Sequence, residues 1–277
     1  MMSFKVDQGL PMMNYTRSLL PTFCCLGLLL AKPVWGAQIV WFDGADPSTI
    51  LDAEGDNAAS GNFSGSVVTW IDKAGGDNNA DGMEHAPTYN PTGLNGMGVV
   101  NFDNQTLPAP LLQQWMEFPA AHQGPTGITA FIVSQGQGTD DPAVPNSDQV
   151  IGSFDSWLAY SGDGDIFLID RGDINTIAFG TNGNEGRAEG DSSVYHIITA
   201  KFQASDGAIT ARYNGGNQVE CEVNSVVKEC FNPDGYVVFD QLAKYHSGNV
   251  LGIDGHGNLA EVLIYDEYLS DPEEASI

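Results

Sequence analysis

The feature that most constrains this chain is the recurrence of short runs of β-branched and aromatic residues between clusters of Gly, Asn, Asp and Pro. Each run has the length of one strand, and no stretch keeps the 3.6-residue period of an amphipathic helix. Nine such runs occur, at residues 39–42, 67–71, 98–102, 128–133, 165–169, 194–202, 209–213, 236–239 and 259–265. Many short strands separated by turn signals predict an all-β, two-sheet antiparallel sandwich. No linker or internal repeat interrupts the series, so we expect one domain.

The first 36 residues differ from the remainder and have the pattern of a secretory signal peptide. Two basic residues precede an apolar run at 19–31, and small residues follow it. This run is shorter than the roughly 20 residues that span a bilayer. We therefore predict a signal at 1–36, cleavage after Gly36, and a secreted or cell-surface chain of residues 37–277 with no membrane span. An uncleaved anchor is the alternative.

Charge excludes one large class of partners. The chain has 10 Lys and Arg against 36 Asp and Glu, a formal net charge of −26. Nucleic-acid binding needs clustered basic side chains to neutralise phosphates, and none are present. The same field repels anionic membranes and anionic polymers. Hydrophobic residues make up 42% of the chain, which is enough to build a packed core.

The cysteines agree with export. Cys24 and Cys25 leave with the predicted signal, so Cys221 and Cys230 are the two thiols that remain. In an oxidising compartment two thiols this close in sequence predict a disulfide that closes a hairpin or loop. A zinc site is the alternative, but it needs further ligands, and His246 is the nearest histidine in the sequence.

Four segments together resemble one family. They are the opening Trp41-Phe42-Asp43-Gly44, the turn Trp70-Ile71-Asp72-Lys73, the strand at 96–102, and the closing strand and helix start at 259–273. In these segments the chain resembles bacterial laminin-G-like domains of the concanavalin A-like superfamily. The resemblance implies a jelly-roll sandwich whose first and last strands are neighbours. It leaves function open, because this fold serves lectins, adhesion modules, glycoside hydrolases and polysaccharide lyases.

The chain ends with a helix start. Ser270-Asp271-Pro272-Glu273 is a capping box with Pro in the first turn. In the family that the chain resembles, this closing helix usually continues, so we expect the sequence to be a shortened form. The prediction for the sequence as given is a short C-terminal helix.

No catalytic residue is predicted. A glycosidase on this fold needs two carboxylates on one cleft, which on a single strand means acidic residues at alternate positions. Glu220-Cys221-Glu222 has that spacing, but it lies against the expected disulfide. A lyase needs a Tyr/His pair with basic residues, and His196 shares its strand face with apolar residues, which favours a core histidine.

Calcium is the candidate cofactor, because turns rich in Asp, Gly and Asn supply the oxygen ligands that it prefers. If the terminal strands pair, Asp43 at the end of the first strand and Asp266 at the end of the last are expected to meet and act as ligands. The loops at 77–82 and 163–165 are rival sites. The alternative at each of these sites is that the Asp and Asn side chains form hydrogen bonds with the backbone of their own turn and bind no calcium.

Aromatic residues near predicted loops are candidates for stacking on a sugar. They are Trp115, Trp157 and Tyr160, although packing into the core is the alternative for each. Trp41 and Trp70 lie within apolar runs and are expected in the core.

These observations favour an exported, non-catalytic binding or adhesion module that recognises a glycan or an extracellular protein. A glycoside hydrolase or polysaccharide lyase of the same fold is the alternative, and a purely structural surface component is a third. Two carboxylates within reach of each other on the concave sheet would favour the hydrolase.

Overall fold

The computed structural model describes residues 36–103, 114–136, 154–159, 167–171, 176–181, 184–189, 194–216, 221–223, 226–228, 237–244 and 257–277. Its strands are β1 Gln38–Asp43, β2 Ile50–Leu51, β3 Thr69–Trp70, β4 Ala80–Glu84, β5 Thr88–Leu94, β6 Met97–Phe102, β7 Gln114–His122, β8 Gly127–Gly136, β9 Phe154–Ala159, β10 Phe167–Arg171, β11 Thr176–Thr181, β12 Asn184–Glu189, β13 His196–Gln203, β14 Ile209–Tyr213, β15 Cys221–Val223, β16 Val226–Lys228, β17 Val238–Leu242 and β18 Gly257–Tyr265. A 3-10 turn at Pro47–Thr49 and the helix α1 Asp271–Glu274 complete the described elements. No helix in these segments is both long and apolar enough to cross a membrane.

Seven of the described strands form what we call the small sheet. Their order is β14-β13-β8-β18-β6-β5, and β1 also lies beside β18. β1 runs antiparallel to β18, with Trp41 opposite Leu263. The first and last described strands are therefore neighbours, as the resemblance implies. β8 pairs with β18 from Gly136 to Thr129, so β18 lies inside the sheet rather than at its edge.

Nine described strands form the large sheet, in the order β12-β11-β10-β9-β17-β7-β4-β3-β2. Its middle strand pairs are antiparallel, with β7 between β4 and β17. β15 and β16 pair with each other in a separate hairpin.

The inner faces of the two sheets pack against each other around an apolar core. Phe42 of the small sheet contacts Trp70 and Phe118 of the large sheet, with ring centroids 5.5 Å apart in each pair. All three side chains are buried. Burial of a large apolar side chain stabilises a fold by about 1.5–3 kcal/mol relative to exposure. This packing confirms the predicted antiparallel sandwich.

The turn after β3 closes the free edge of β1. The Asp72 carboxylate accepts the N–H of Trp41 at 2.8 Å, and the N–H of Lys73 donates to the Trp41 carbonyl at 2.8 Å. The side-chain amide of Asn78 donates to the carbonyl of Ile39 at 2.7 Å. An exposed strand edge invites pairing with another chain. The Trp-x-Asp-Lys turn therefore has a structural role, because it satisfies this edge from within.

The C-terminal segment covers part of the outer face of the small sheet. Ser270 and Glu273 form the predicted capping box at the start of α1. The ammonium of Lys201, on β13, is fully buried beneath this segment, 2.9 Å from the Glu274 carboxylate and 3.3 Å from that of Asp271. The short helix is thus fixed to the sheet by ion pairs.

Candidate functional site

The two predicted calcium ligands lie apart. Asp43 ends β1 opposite Glu261, whereas Asp266 follows β18, where its N–H donates to the carbonyl of Ala37 at 3.1 Å. In an antiparallel pair the end of one strand faces the beginning of the other. The strand rise then separates the two positions by about 17 Å along the sheet. The expectation that these carboxylates meet was wrong for this reason.

The Asp43 carboxylate has a structural partner instead. The Lys73 ammonium lies 2.7 Å from Asp43 and 3.0 Å from Asp46, and 4.4 Å from the centroid of the Trp41 ring. The hydroxyl of Ser48 and then Lys73 hold the pKa of Asp46 below its usual value. These groups stabilise the turn after β1.

Of the three aromatic candidates for sugar stacking, the side chain of Trp115 is described. Trp115 lies within β7 and is 7% exposed, and the Lys244 ammonium lies 3.4 Å from its ring centroid. Trp115 therefore does not present an open face to a sugar, and the expectation of a loop aromatic was wrong at this position. Trp157 is on β9, but its side chain, like all of Tyr160, lies outside the described residues.

The rival loop at 77–82 is partly used by the fold. The Asn79 side chain accepts the N–H of Asp72 at 3.0 Å, and Asn78 bonds to β1 as described above. The loop at 163–165 lies outside the described residues.

The structure describes one of the two cysteines of the predicted disulfide. Cys221 begins β15 and lies opposite Lys228 of β16, so it belongs to a hairpin. Cys230 lies two positions beyond that hairpin and outside the described residues. The disulfide stays a prediction.

His196 is a buried histidine, as its strand pattern predicted. It is 2% exposed and stacks on Tyr213, with ring centroids 4.9 Å apart. Its Nδ1 lies 2.8 Å from the carbonyl of Val194, and its Nε2 lies 3.3 Å from the Ser134 hydroxyl. The carbonyl can only accept, so Nδ1 carries a proton and donates to it.

The pairing of the large sheet brings together side chains that the sequence keeps far apart. Asp81 on β4 lies directly opposite Glu117 on β7, and Glu117 lies directly opposite Gln241 on β17. Side chains at opposed positions share one face, with Cβ atoms about 4.5–5.5 Å apart. We call Asp81, Glu117 and Gln241 the acceptor row.

The acceptor row lies on the outward face of the large sheet. On β7, Met116 and Phe118 enter the core, so Glu117 between them faces away from it. The residues flanking the row on the other strands, Ala80 and Leu242, are also core residues. The row thus crosses three adjacent strands near the middle of the sheet.

Partners are scarce in the acceptor row. Asp81 accepts a hydrogen bond from the Thr69 hydroxyl at 2.8 Å. Within the part of the chain that the structure describes, Glu117 has no hydrogen-bond or ion-pair partner. Gln241 is 3% exposed, and its Oε1 is buried with no donor. A buried acceptor without a donor costs about 1–3 kcal/mol.

Sequence reasoning named Asp81 only as part of the rival calcium loop at 77–82, and it missed Glu117 and Gln241. The alternation of Trp115-Met116-Glu117-Phe118 marks a strand with an outward glutamate. The partners on β4 and β17 follow from sheet register, which that pattern does not contain. No group of three or more His, Cys, Asp or Glu side chains able to hold a metal occurs among the described residues. The row has two carboxylates and one amide.

No family model and no curated protein matches this chain. Solved structures with a similar arrangement include a botulinum neurotoxin type G receptor-binding domain, at 10% identity and a TM-score of 0.48 over 85% of this chain and 49% of the other. A GH54 α-L-arabinofuranosidase matches at 15% identity and a TM-score of 0.49, over 87% of this chain and 58% of the enzyme. A Trypanosoma rangeli sialidase matches at 12% identity and a TM-score of 0.48, over 85% of this chain and 32% of the sialidase. The chain thus spans about half, or a third, of the length of these proteins.

Proposed function

We propose that this chain is an exported, non-catalytic carbohydrate-binding module of the laminin-G-like type, and that the acceptor row is its binding site. The observation that carries the proposal is the line of oxygen acceptors across β4, β7 and β17, on the outward face of the large sheet. Export rests on the signal-like pattern of residues 1–36.

The chemistry of the row favours a neutral glycan. Ionised carboxylates accept hydrogen bonds and donate none, and the Gln241 Oε1 also accepts. Sugar hydroxyl groups supply donors for the exposed carboxylate of Asp81 and the half-buried carboxylate of Glu117. An anionic sugar would bring like charge to Asp81 and Glu117, in a chain whose net charge is −26.

A glycan array tests the proposal with the full chain, Glu117→Ala and Glu54→Ala. Glu54 is an exposed glutamate in the turn after β2, and it serves as the matched control. We expect the wild type and Glu54→Ala to bind the same neutral glycans. Loss of one hydrogen bond to a charged group should weaken binding by Glu117→Ala about 10- to 100-fold. Absence of binding to every glycan, or equal binding by Glu117→Ala, contradicts the proposal and favours a structural role.

One observation favours a second candidate, a glycoside hydrolase. Asp81 and Glu117 are opposed on adjacent strands, and the carboxyl spacing of about 5–5.5 Å in retaining enzymes is close to that of opposed side chains. One carboxylate would attack the anomeric carbon, and the other would protonate the leaving oxygen. Release of reducing sugar by wild type, abolished in both Asp81→Asn and Glu117→Gln, would establish this candidate. Absence of release from glycans that the array shows to bind would exclude it.

A further inference from the structure

Two asparagines that precede a glycine lie in exposed turns of the described chain, at Asn95-Gly96 and Asn214-Gly215. A third such pair, at 182–183, lies outside the described residues. Because glycine has no side chain, its backbone nitrogen is unshielded and can approach the amide carbon of the preceding asparagine. Asparagine is a labile residue, and an Asn-Gly pair is where its side-chain amide is lost most readily without an enzyme.

The backbone conformation at the two described pairs is similar. Asn95 and Asn214 both have φ of 50°, and Gly96 and Gly215 have φ of 85° and 66°. All four residues are exposed. Backbone conformation and access of water therefore do not distinguish the two pairs, so a difference in their reactivity must come from the bonds that hold each turn.

Three hydrogen bonds hold the turn at Asn214. The side-chain oxygen of Asn214 accepts the N–H of Ile197 at 2.8 Å, and the Asn214 N–H donates to the Ile197 carbonyl at 2.8 Å. The N–H of Gly216 donates to the Tyr213 carbonyl, also at 2.8 Å. The first of these bonds must break before the Asn214 amide can turn towards the nitrogen of Gly215.

The turn at Asn95 is held by fewer bonds. Asn95-Gly96 is the two-residue loop between β5 and β6, and the pairing of these strands is interrupted before Leu94, so Leu94 and Met97 alone close the loop. β5 is the edge strand of the small sheet. Among the described residues the Asn95 side chain has no hydrogen-bond partner. A segment with so few contacts opens locally at low cost, which lets its side-chain amide reach the glycine nitrogen.

We propose that Asn95 is a site of spontaneous deamidation in the folded chain and that Asn214 is protected from it. The nitrogen of Gly96 attacks Cγ of Asn95, the bond from Cγ to Nδ2 breaks, and the amide nitrogen leaves as ammonia with the proton of the Gly96 N–H. Water then opens the cyclic imide. Opening at Cγ gives aspartate, and opening at the backbone carbonyl gives isoaspartate. The net change replaces ammonia by water, and both products carry a new carboxylate.

The two products affect the hairpin differently. Aspartate leaves the backbone unchanged and adds one negative charge to a chain whose net charge is −26. Isoaspartate takes the main chain through the side-chain methylene, which lengthens a two-residue loop whose twist has to match that of its strands. We expect isoaspartate to separate Leu94 from Met97. This site lies outside the acceptor row, so it stands whether or not the chain binds a glycan.

Peptide mapping of the aged full chain by liquid chromatography and mass spectrometry tests the site. Samples in mildly alkaline buffer, below the melting transition, are compared with samples in concentrated guanidinium chloride, where both turns are unfolded. The protection of each asparagine is its rate of conversion in denaturant divided by its rate in the folded chain. We expect the protection of Asn214 to exceed that of Asn95 at least about 2- to 10-fold, the effect of one net hydrogen bond.

Asn95→Gln is the matched variant, because the longer side chain closes an imide far more slowly. It should abolish the products at this position and leave conversion of Asn214 unchanged, and circular dichroism establishes that it is folded. Equal protection of the two asparagines, or greater protection of Asn95, overturns the proposal. An unmodified Asn95 in the folded chain, after the denatured sample has converted completely, overturns it as well.

Discussion

Removal of the Asp72 carboxylate should release the edge of β1. Asp72 is 6% exposed, and its Oδ1 accepts the N–H groups of Trp41 at 2.8 Å and Ala74 at 2.9 Å. Its Oδ2 accepts a longer bond of 3.3 Å from the Asn78 amide. In Asp72→Ala all three donors lose this acceptor.

The magnitude follows from the two short bonds. A hydrogen bond to a charged group contributes about 1.5–3 kcal/mol, so two of them contribute about 3–6 kcal/mol. Because this edge is only half-buried, water can reach the released N–H groups, and we expect the low end, about 3 kcal/mol. For a domain of this size each kcal/mol lowers Tm by about 2–4 °C, which gives a loss of about 6–12 °C.

Urea unfolding and thermal circular dichroism measure this loss. Asp77→Ala is the matched control, because Asp77 lies in the same turn, is exposed and has no described side-chain bond. Asp72→Asn keeps one acceptor oxygen and should fall between wild type and Asp72→Ala. If Asp72→Ala unfolds within about 0.5 kcal/mol of Asp77→Ala, the ordinary range for surface substitutions, the edge-closing role of Asp72 is refuted.

Two further predictions concern the small sheet. Lys201→Met removes the buried ammonium beneath the C-terminal segment and leaves the Glu274 carboxylate with Arg212 at 3.7 Å, so urea unfolding should show a loss of about 3 kcal/mol. Adding Glu274→Gln should recover part of that loss, and no recovery would contradict the pairing. Burial raises the pKa of Glu261, although the Trp41 indole N–H opposes the shift. The pKa of Glu261 in the folded chain then exceeds its unfolded value of about 4.3. The stability that protonated Glu261 contributes is therefore present below pH 4.3 and is lost as pH rises through the folded pKa. Unfolding at pH 4 and pH 7 should therefore show Glu261→Gln gaining stability relative to wild type as pH rises, and the opposite trend would contradict the argument.

The strands that alternate or are rich in β-branched residues could be predicted from the sequence. All nine predicted runs overlap strands, and the run at 209–213 matches β14 at both ends. Some missed strands, such as β9 and β11, contain aromatic or β-branched residues and were overlooked all the same. Two others have different compositions: β5 contains Pro91, and β12 is made mostly of polar residues and glycine. Their strand conformation depends on pairing with β6 and β11, which local propensity does not encode.

The candidate site could not be predicted, for a related reason. Asp81, Glu117 and Gln241 come from three distant parts of the sequence, and only the register of the large sheet opposes them. The same dependence on register explains the mistaken pairing of Asp43 with Asp266. Knowledge that two strands are neighbours does not say which of their ends meet.

The position of Lys201 shows a further limit. Its strand alternates, and a lysine on the outer face of a strand is ordinarily solvated. Here the C-terminal segment covers that face and buries the ammonium among carboxylates. Such burial arises from residues about seventy positions away, so the strand pattern cannot reveal it.

Carboxyl footprinting of the full chain, by carbodiimide coupling and mass spectrometry, measures directly whether a ligand covers the acceptor row. Labelling is compared without ligand, with CaCl₂, and with the strongest neutral glycan from the array. We expect Asp81 and Glu117 to lose labelling when ligand is bound, whereas the exposed Asp77 should keep it. Unchanged labelling of Asp81 and Glu117 with a bound ligand, or protection that falls on Asp43 and Asp266 instead, would contradict it.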